Sequence, residues 1–213
     1  MLLTPRGALQ RGTTPACLPR IYVHFAFRSR AIAARARTFC SLRAALDRMA
    51  LRRQRKVQLL GLLGFAIALY ALSVEANLDD PTYIAACDFG ASFSCTAVFK
   101  SPYAHVLSHW GLVERGGALD LSLAVAGMAL YSCYFLAGGP LWSVMPVRAA
   151  IFLAVALAGA AFSCYLLYVL KFVLRDFCIV CTGFHAVNFS MLVLAIGEAR
   201  DARRSSSAGA KDL

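Results

Sequence analysis

Four apolar stretches, residues 57–74, 119–137, 149–174 and 177–196, each have the length needed to cross a bilayer, and they constrain this chain more than any other feature. A helix of about twenty residues spans the hydrocarbon while pairing its own backbone polar groups, which an open strand or loop in lipid cannot do. The reading is therefore all-α: an integral membrane four-helix bundle, with a long loop over residues 75–118 between helices 1 and 2. Gly138, Gly139 and Pro140 close the second stretch, because glycine has no helix preference and proline has no donor. Arg175 and Asp176 leave room only for a tight antiparallel hairpin between the third and fourth stretches. Composition agrees, since 60% of the 213 residues are apolar and the mean hydropathy is +0.64, beyond the range of soluble domains.

The formal charge of +11 suggests a polyanion binder until it is mapped. Thirteen of the 22 Lys and Arg lie at or before Lys56, with no interleaved aromatics and no Gly-rich phosphate loop, so the charge reads as a topology or targeting signal and nucleic acid is not an expected partner. Residues 1–48 form a basic island with nine arginines and one acid, Asp47. It resembles a transit peptide, but Met49 opens a basic run directly before the first span and would serve as a start, which is the preferred reading. The expected domains are a poorly ordered extension over 1–48 containing Cys17 and Cys40, a four-span domain over 49–199, and a polar cytosolic tail over 200–213.

Four crossings put Arg52, Arg53, Arg55, Lys56, Arg148, Arg200, Arg203 and Arg204 on one side, which the positive-inside rule makes cytosolic, together with both termini. The long loop carries Glu75, Asp79, Asp80, Asp88, Glu114 and, at its edge, Asp120 against only Lys100 and Arg115, and is expected to be lumenal. The sequon at Asn188 falls deep in the fourth span and is discarded. His105 and His109 read as solvated surface of the loop.

The cysteines then sort by position. Cys87 and Cys95 lie in the lumenal loop, and Cys178 and Cys181 open the fourth helix on the same side. A Cys-x-x-Cys pair at a helix start shares one face, and the positive helix end with its unpaired N–H groups favours the thiolate. In an oxidising lumen, a second pair on a mobile loop can exchange disulfides with it. Half a zinc site is the competing reading of Cys-x-x-Cys, with His185 as its best further ligand. A permanent closed site would occupy all four cysteines and serve no folding need in a membrane helix, so no metal is expected. His185, four residues after Cys181, otherwise reads as interhelical polar glue. Cys133 and Cys164, alone in mid-helix, behave as small hydrophobes and are given no role.

Cys87-Asp88, Ser94-Cys95, Val98-Phe99, Gly111-Leu112-Val113-Glu114 and Asp176-Phe177-Cys178-Ile179-Val180-Cys181, in this order across residues 60–194, resemble the vitamin K epoxide reductase family. The resemblance implies a bundle around a quinone pocket, with Cys178 and Cys181 as redox centre and Cys87 and Cys95 as shuttle. It further implies that Cys87 with its neighbour Asp88 faces a thioredoxin-like lumenal oxidoreductase, that Cys95 bridges transiently to Cys178, and that Phe99 belongs to a cap over the pocket. No tightly bound cofactor is implied, and a vitamin K or ubiquinone-like quinone, or its epoxide, is the substrate. The implied residence is the endoplasmic reticulum membrane, or the mitochondrial inner membrane if the basic extension is a working transit peptide.

Two positions depart from the family's pattern. Aligning Gly127 and Tyr131 with the family's glycine and tyrosine puts Leu123 where an asparagine is usual, with Ser122 the nearest polar side chain, and His185 stands where a tyrosine is usual. Ser122, Leu123 and His185 are therefore expected at the substrate, with His185 replacing a missing donor. Two other functions stay open: a quinone-linked thiol oxidase running the same relay in reverse, and a scaffold with static disulfides at both pairs.

Overall fold

The structure is a computed structural model and describes residues 30–90, 93–139 and 147–209, with side chains at 41, 48–90, 93–139 and 147–207. Residues 1–29 of the basic extension, the Cys40 side chain, Pro140 and residues 210–213 of the tail lie outside it. Among the described residues the regular structure is helical, with one isolated antiparallel bridge between Gly90 and Phe93. The chain divides into a unit ending at Arg52 and a second, described below, that begins at Arg53.

Helix α1 (Arg30–Ala76) contains the first span, Arg48–Ala76. The loop that follows holds two short helices, α2 (Cys95–Lys100) and α3 (Val106–His109), separated by a 3-10 turn at Pro102–Ala104. Ser94 caps α2 by accepting from Ala97 N at 3.1 Å, and Pro102 stops it, because the residue before a proline is driven out of helical geometry. Helix α4 (Leu123–Ala137) is shorter than the expected second span. Its start is displaced from residue 119 because Ser122 Oγ accepts from Val125 N at 3.3 Å, fixing the cap there. Helix α5 (Arg148–Tyr168) runs on into a π-helical turn (Val169–Leu174) that ends at Arg175 in the left-handed region, φ 56°. Helix α6 (Ile179–Gly209) completes a helical membrane bundle with three helices long and apolar enough to cross and α4 as the shorter one.

Close approach of α1 and α4 depends on glycine. A Cβ on Gly64 would sit 2.5 Å from the Tyr131 ring, so only hydrogen fits. Tyr131 stacks on Phe184 of α6, centroids 5.7 Å apart, and its hydroxyl donates to Asn188 Oδ1 at 2.9 Å. Asn188 Nδ2 donates in turn to Ser163 Oγ at 2.8 Å, so one polar chain ties α4, α6 and α5 inside the bundle. Such bonds are kept in lipid because no water is present to replace them. At the other end, Arg53 pairs with Asp201 at 2.8 Å and Arg148 with Glu198 at 3.3 Å.

Candidate active site

The four loop and helix cysteines converge. Cys87 and Cys95 form a disulfide with a Cα–Cα separation of 5.9 Å, while Cys178 and Cys181 are free thiols. The Cys178 Sγ lies 3.6 Å from Cys95 Sγ, and both residues are fully buried. Helix geometry positions Cys178: it directly precedes α6, and the N–H of Cys181 donates to its sulfur at 3.2 Å, using one of the donors a helix start leaves unpaired. The Phe93 and Phe177 rings, 5.2 Å apart, pack the loop against the start of α6. On the outer side Cys87 lies in a shallow apolar groove with Phe89, Phe93, Phe177 and Ile179.

Asp88 fixes the start of α2. Its carboxylate accepts from Thr96 N at 3.1 Å and from Thr96 Oγ1 at 2.5 Å. Partial burial pushes its pKa up, but the bonds from Thr96, with further ones from Ser94 and Cys95 N, outweigh this and hold the carboxyl below its ordinary value.

Inward from the sulfurs is a cavity of about 190 Å³, lined almost wholly by apolar groups. Cys181 sits on its wall, facing the space that Phe99, Leu123, Tyr131 and Phe184 enclose. His185 is on the same wall, 4% exposed, and among the described residues neither ring nitrogen has a hydrogen-bond partner. A buried imidazole without a partner is costly, and it is well placed to bind a polar group entering the cavity. A largely apolar chamber with an unpartnered imidazole and a thiol at its wall, and the Glu75 carboxylate at its edge, suits a hydrophobic molecule with a reactive oxygen.

Of the residues singled out from sequence, Phe99, Leu123 and His185 line this cavity and Ser122 does not, its hydroxyl being spent on the α4 cap. His105 corrects the expectation of a solvated surface side chain. It lies between Glu75 and Asp120, with a carboxylate oxygen 3.2 Å from each ring nitrogen. Tyr103, which sequence reasoning did not single out, lines the cavity and packs against His109 with the rings tilted and their centroids 4.4 Å apart.

The sequence model of the vitamin K epoxide reductase family matches residues 56–196. The chain belongs to the vitamin K epoxide reductase family. Vitamin K epoxide reductase complex subunit 1 of Mus musculus is 37% identical over 142 residues, covering 63% of this chain and 83% of the mouse protein. The Rattus norvegicus protein of the same name is 36% identical over 137 residues, with the same coverage. Family membership carries a membrane-bound redox function of the vitamin K epoxide reductase type. The match contains all four converging cysteines and His185, and it encloses the resemblance read over residues 60–194.

Proposed function

We propose that the chain is a membrane thiol-disulfide/quinone oxidoreductase that reduces vitamin K 2,3-epoxide, vitamin K quinone or both, with electrons relayed through its two cysteine pairs. The 3.6 Å approach of Cys178 to Cys95, with Cys181 next to it on the cavity wall, is the observation that carries this reading. A thioredoxin-like lumenal partner docks at the groove beside Cys87 and Asp88, and its dithiol reduces the Cys87–Cys95 disulfide through a mixed disulfide at Cys87. Cys95 thiolate then attacks Cys178 of an oxidised Cys178–Cys181 pair, and Cys181 leaves as thiolate. Cys87 closes back on Cys95 and frees Cys178, leaving the loop pair oxidised and the helix pair reduced, which is the combination described above.

The reduced helix pair gives two electrons and two protons. A quinone leaves as hydroquinone, or an epoxide leaves as quinone and water, and Cys178 and Cys181 close to a disulfide. His185 passes a proton to the developing oxyanion, a role supported by its partnerless ring at the cavity wall. Phe99 and Leu123 enclose the ring system, and Ser122 acts only through the helix start that sets Leu123 in place. Residues 49–199 form the catalytic domain, held in the endoplasmic reticulum membrane with the cysteine loop lumenal and both termini cytosolic, as the distribution of basic residues supports.

The test is turnover of epoxide and quinone by membranes supplied with dithiothreitol. Cys178→Ala and Cys181→Ala are each expected to abolish it, and full turnover in either removes the proposal. A scaffold with static disulfides predicts Cys178 bonded to Cys181 whatever the redox buffer, so thiol labelling of the two across a dithiothreitol series separates it from the relay. Trapping the mixed disulfide at Cys87 and following its redox state decides between reductase and oxidase directions.

A further inference from the structure

The side chain of His105 joins three segments that are far apart in sequence. Glu75 belongs to the last full turn of α1, Asp120 precedes the Ser122 cap of α4, and His105 lies between the 3-10 turn and α3. Its Nε2 is 3.2 Å from Glu75 Oε1 and its Nδ1 is 3.2 Å from Asp120 Oδ1. At Nδ1 the two atoms are close but poorly aligned, so that approach is charge attraction and not a hydrogen bond. Both carboxylates are well covered, the Asp120 side chain 4% exposed and that of Glu75 19%.

We propose that His105 is a positioning residue whose ring, clamped between Glu75 and Asp120, holds the cap segment Pro102–His109 closed over the mouth of the cavity. The residues it restrains reach the cavity directly: Tyr103 and Ala104, immediately before it, line the wall, and so does Glu75 itself. A neutral imidazole has one donor and one lone pair, so with a carboxylate at each nitrogen only the doubly protonated ring attracts both. Among the described residues no other cation lies within ion-pair distance of either carboxylate. Asp120 is held in its charged form chiefly by the Gly116 N–H, which donates to Oδ2 at 2.9 Å, against the opposing effect of burial, and then by Ser108 and His105. Replacing the imidazole removes the one side chain that bridges Glu75 and Asp120, and the segment between them is released.

This inference rests on the proposed quinone or epoxide reduction for its kinetic arm only. His105→Gln, which keeps polarity and approximate size without charge, is expected to raise KM for quinone about tenfold with kcat within about twofold, because cap closure retains substrate and does not perform the chemistry. His105→Arg restores KM, since a guanidinium presents donors to two carboxylates at once. Amide hydrogen exchange of residues 98–110 in substrate-free protein in lipid nanodiscs is expected to speed up in the Gln variant and return to the wild-type rate in the Arg variant. Glu75→Gln is the second variant and is expected to speed the same amides. Unchanged exchange in the Gln variants, equal behaviour of His105→Gln and His105→Arg, or a loss confined to kcat overturns the clamp. Faster exchange in the Gln variants of a wild-type protein that turns over no quinone or epoxide leaves the clamp standing and overturns the proposed reaction instead.

Discussion

The sulfurs of Cys178 and Cys95 lie 3.6 Å apart across 83 residues of sequence, while Cys95 is already bonded to Cys87. On the proposed relay, Cys95 would exchange with Cys87 on one side and with Cys178 on the other. The loop pair would then carry electrons and the helix pair would use them at the cavity.

That division of labour separates two assays. Cys87→Ala and Cys95→Ala are expected to lose turnover driven by a protein dithiol by at least about 100-fold. Both are expected to keep most dithiothreitol-driven turnover, since a small dithiol can reduce Cys178–Cys181 directly. Parallel rate measurements with the two reductants check this, and equal losses in both would contradict the relay order.

At the cavity wall, His185→Phe keeps an aromatic ring of similar breadth and removes the partnerless nitrogens. We expect turnover to fall about 100-fold, within the range for a lost general acid, at unchanged protein level. Quantified protein and initial rates from the same membranes decide whether the imidazole acts chemically or only packs.

Asp88 provides a pH prediction. Its folded-state pKa is below the ordinary carboxylate value because the Thr96 bonds outweigh the opposing burial. The unfolded chain therefore binds the proton more tightly, and stability rises with pH in this range. The contribution is full above about pH 4 and is lost as the pH falls through the folded-state value. Melting temperatures in detergent between about pH 3 and pH 7 should fall less steeply with acid for Asp88→Asn than for the wild type.

A single methyl group tests the packing of α1 on α4. A Cβ at Gly64 meets the Tyr131 ring at 2.5 Å, and Tyr131 is both fully buried and part of the cavity wall. Gly64→Ala is expected to cost about 1–3 kcal/mol as the ring moves. Its signature is a lower midpoint in sodium dodecyl sulfate titrations together with weaker quinone binding.

What was legible in the sequence is what depends on local chemistry. Spanning length and apolarity reveal the helices, and Cys178 with Cys181 is recognisable because both its spacing and its helix-start context are local. Phe99, Leu123 and His185 reached the cavity wall from a motif comparison, but Ser122 did not, because one residue of helix phase turns a hydroxyl from wall to cap. The clamp at His105 was not legible, since no local pattern shows that a loop imidazole will meet carboxylates 30 residues before it and 15 after it. The π-helical turn at Val169–Leu174 was equally hidden, its residues being ordinary helix formers.

The 15 residues of α4 rise only about 22 Å at about 1.5 Å each, against about 30 Å of hydrocarbon in an average bilayer. Such a shortfall is met by local thinning of the bilayer, by flanking side chains reaching to the interface or by packing against neighbouring helices, each at fractions of a kcal/mol for each ångström. Short-tailed, compressible bilayers accommodate the protein with the least distortion, whereas thick sterol-rich ones press on it.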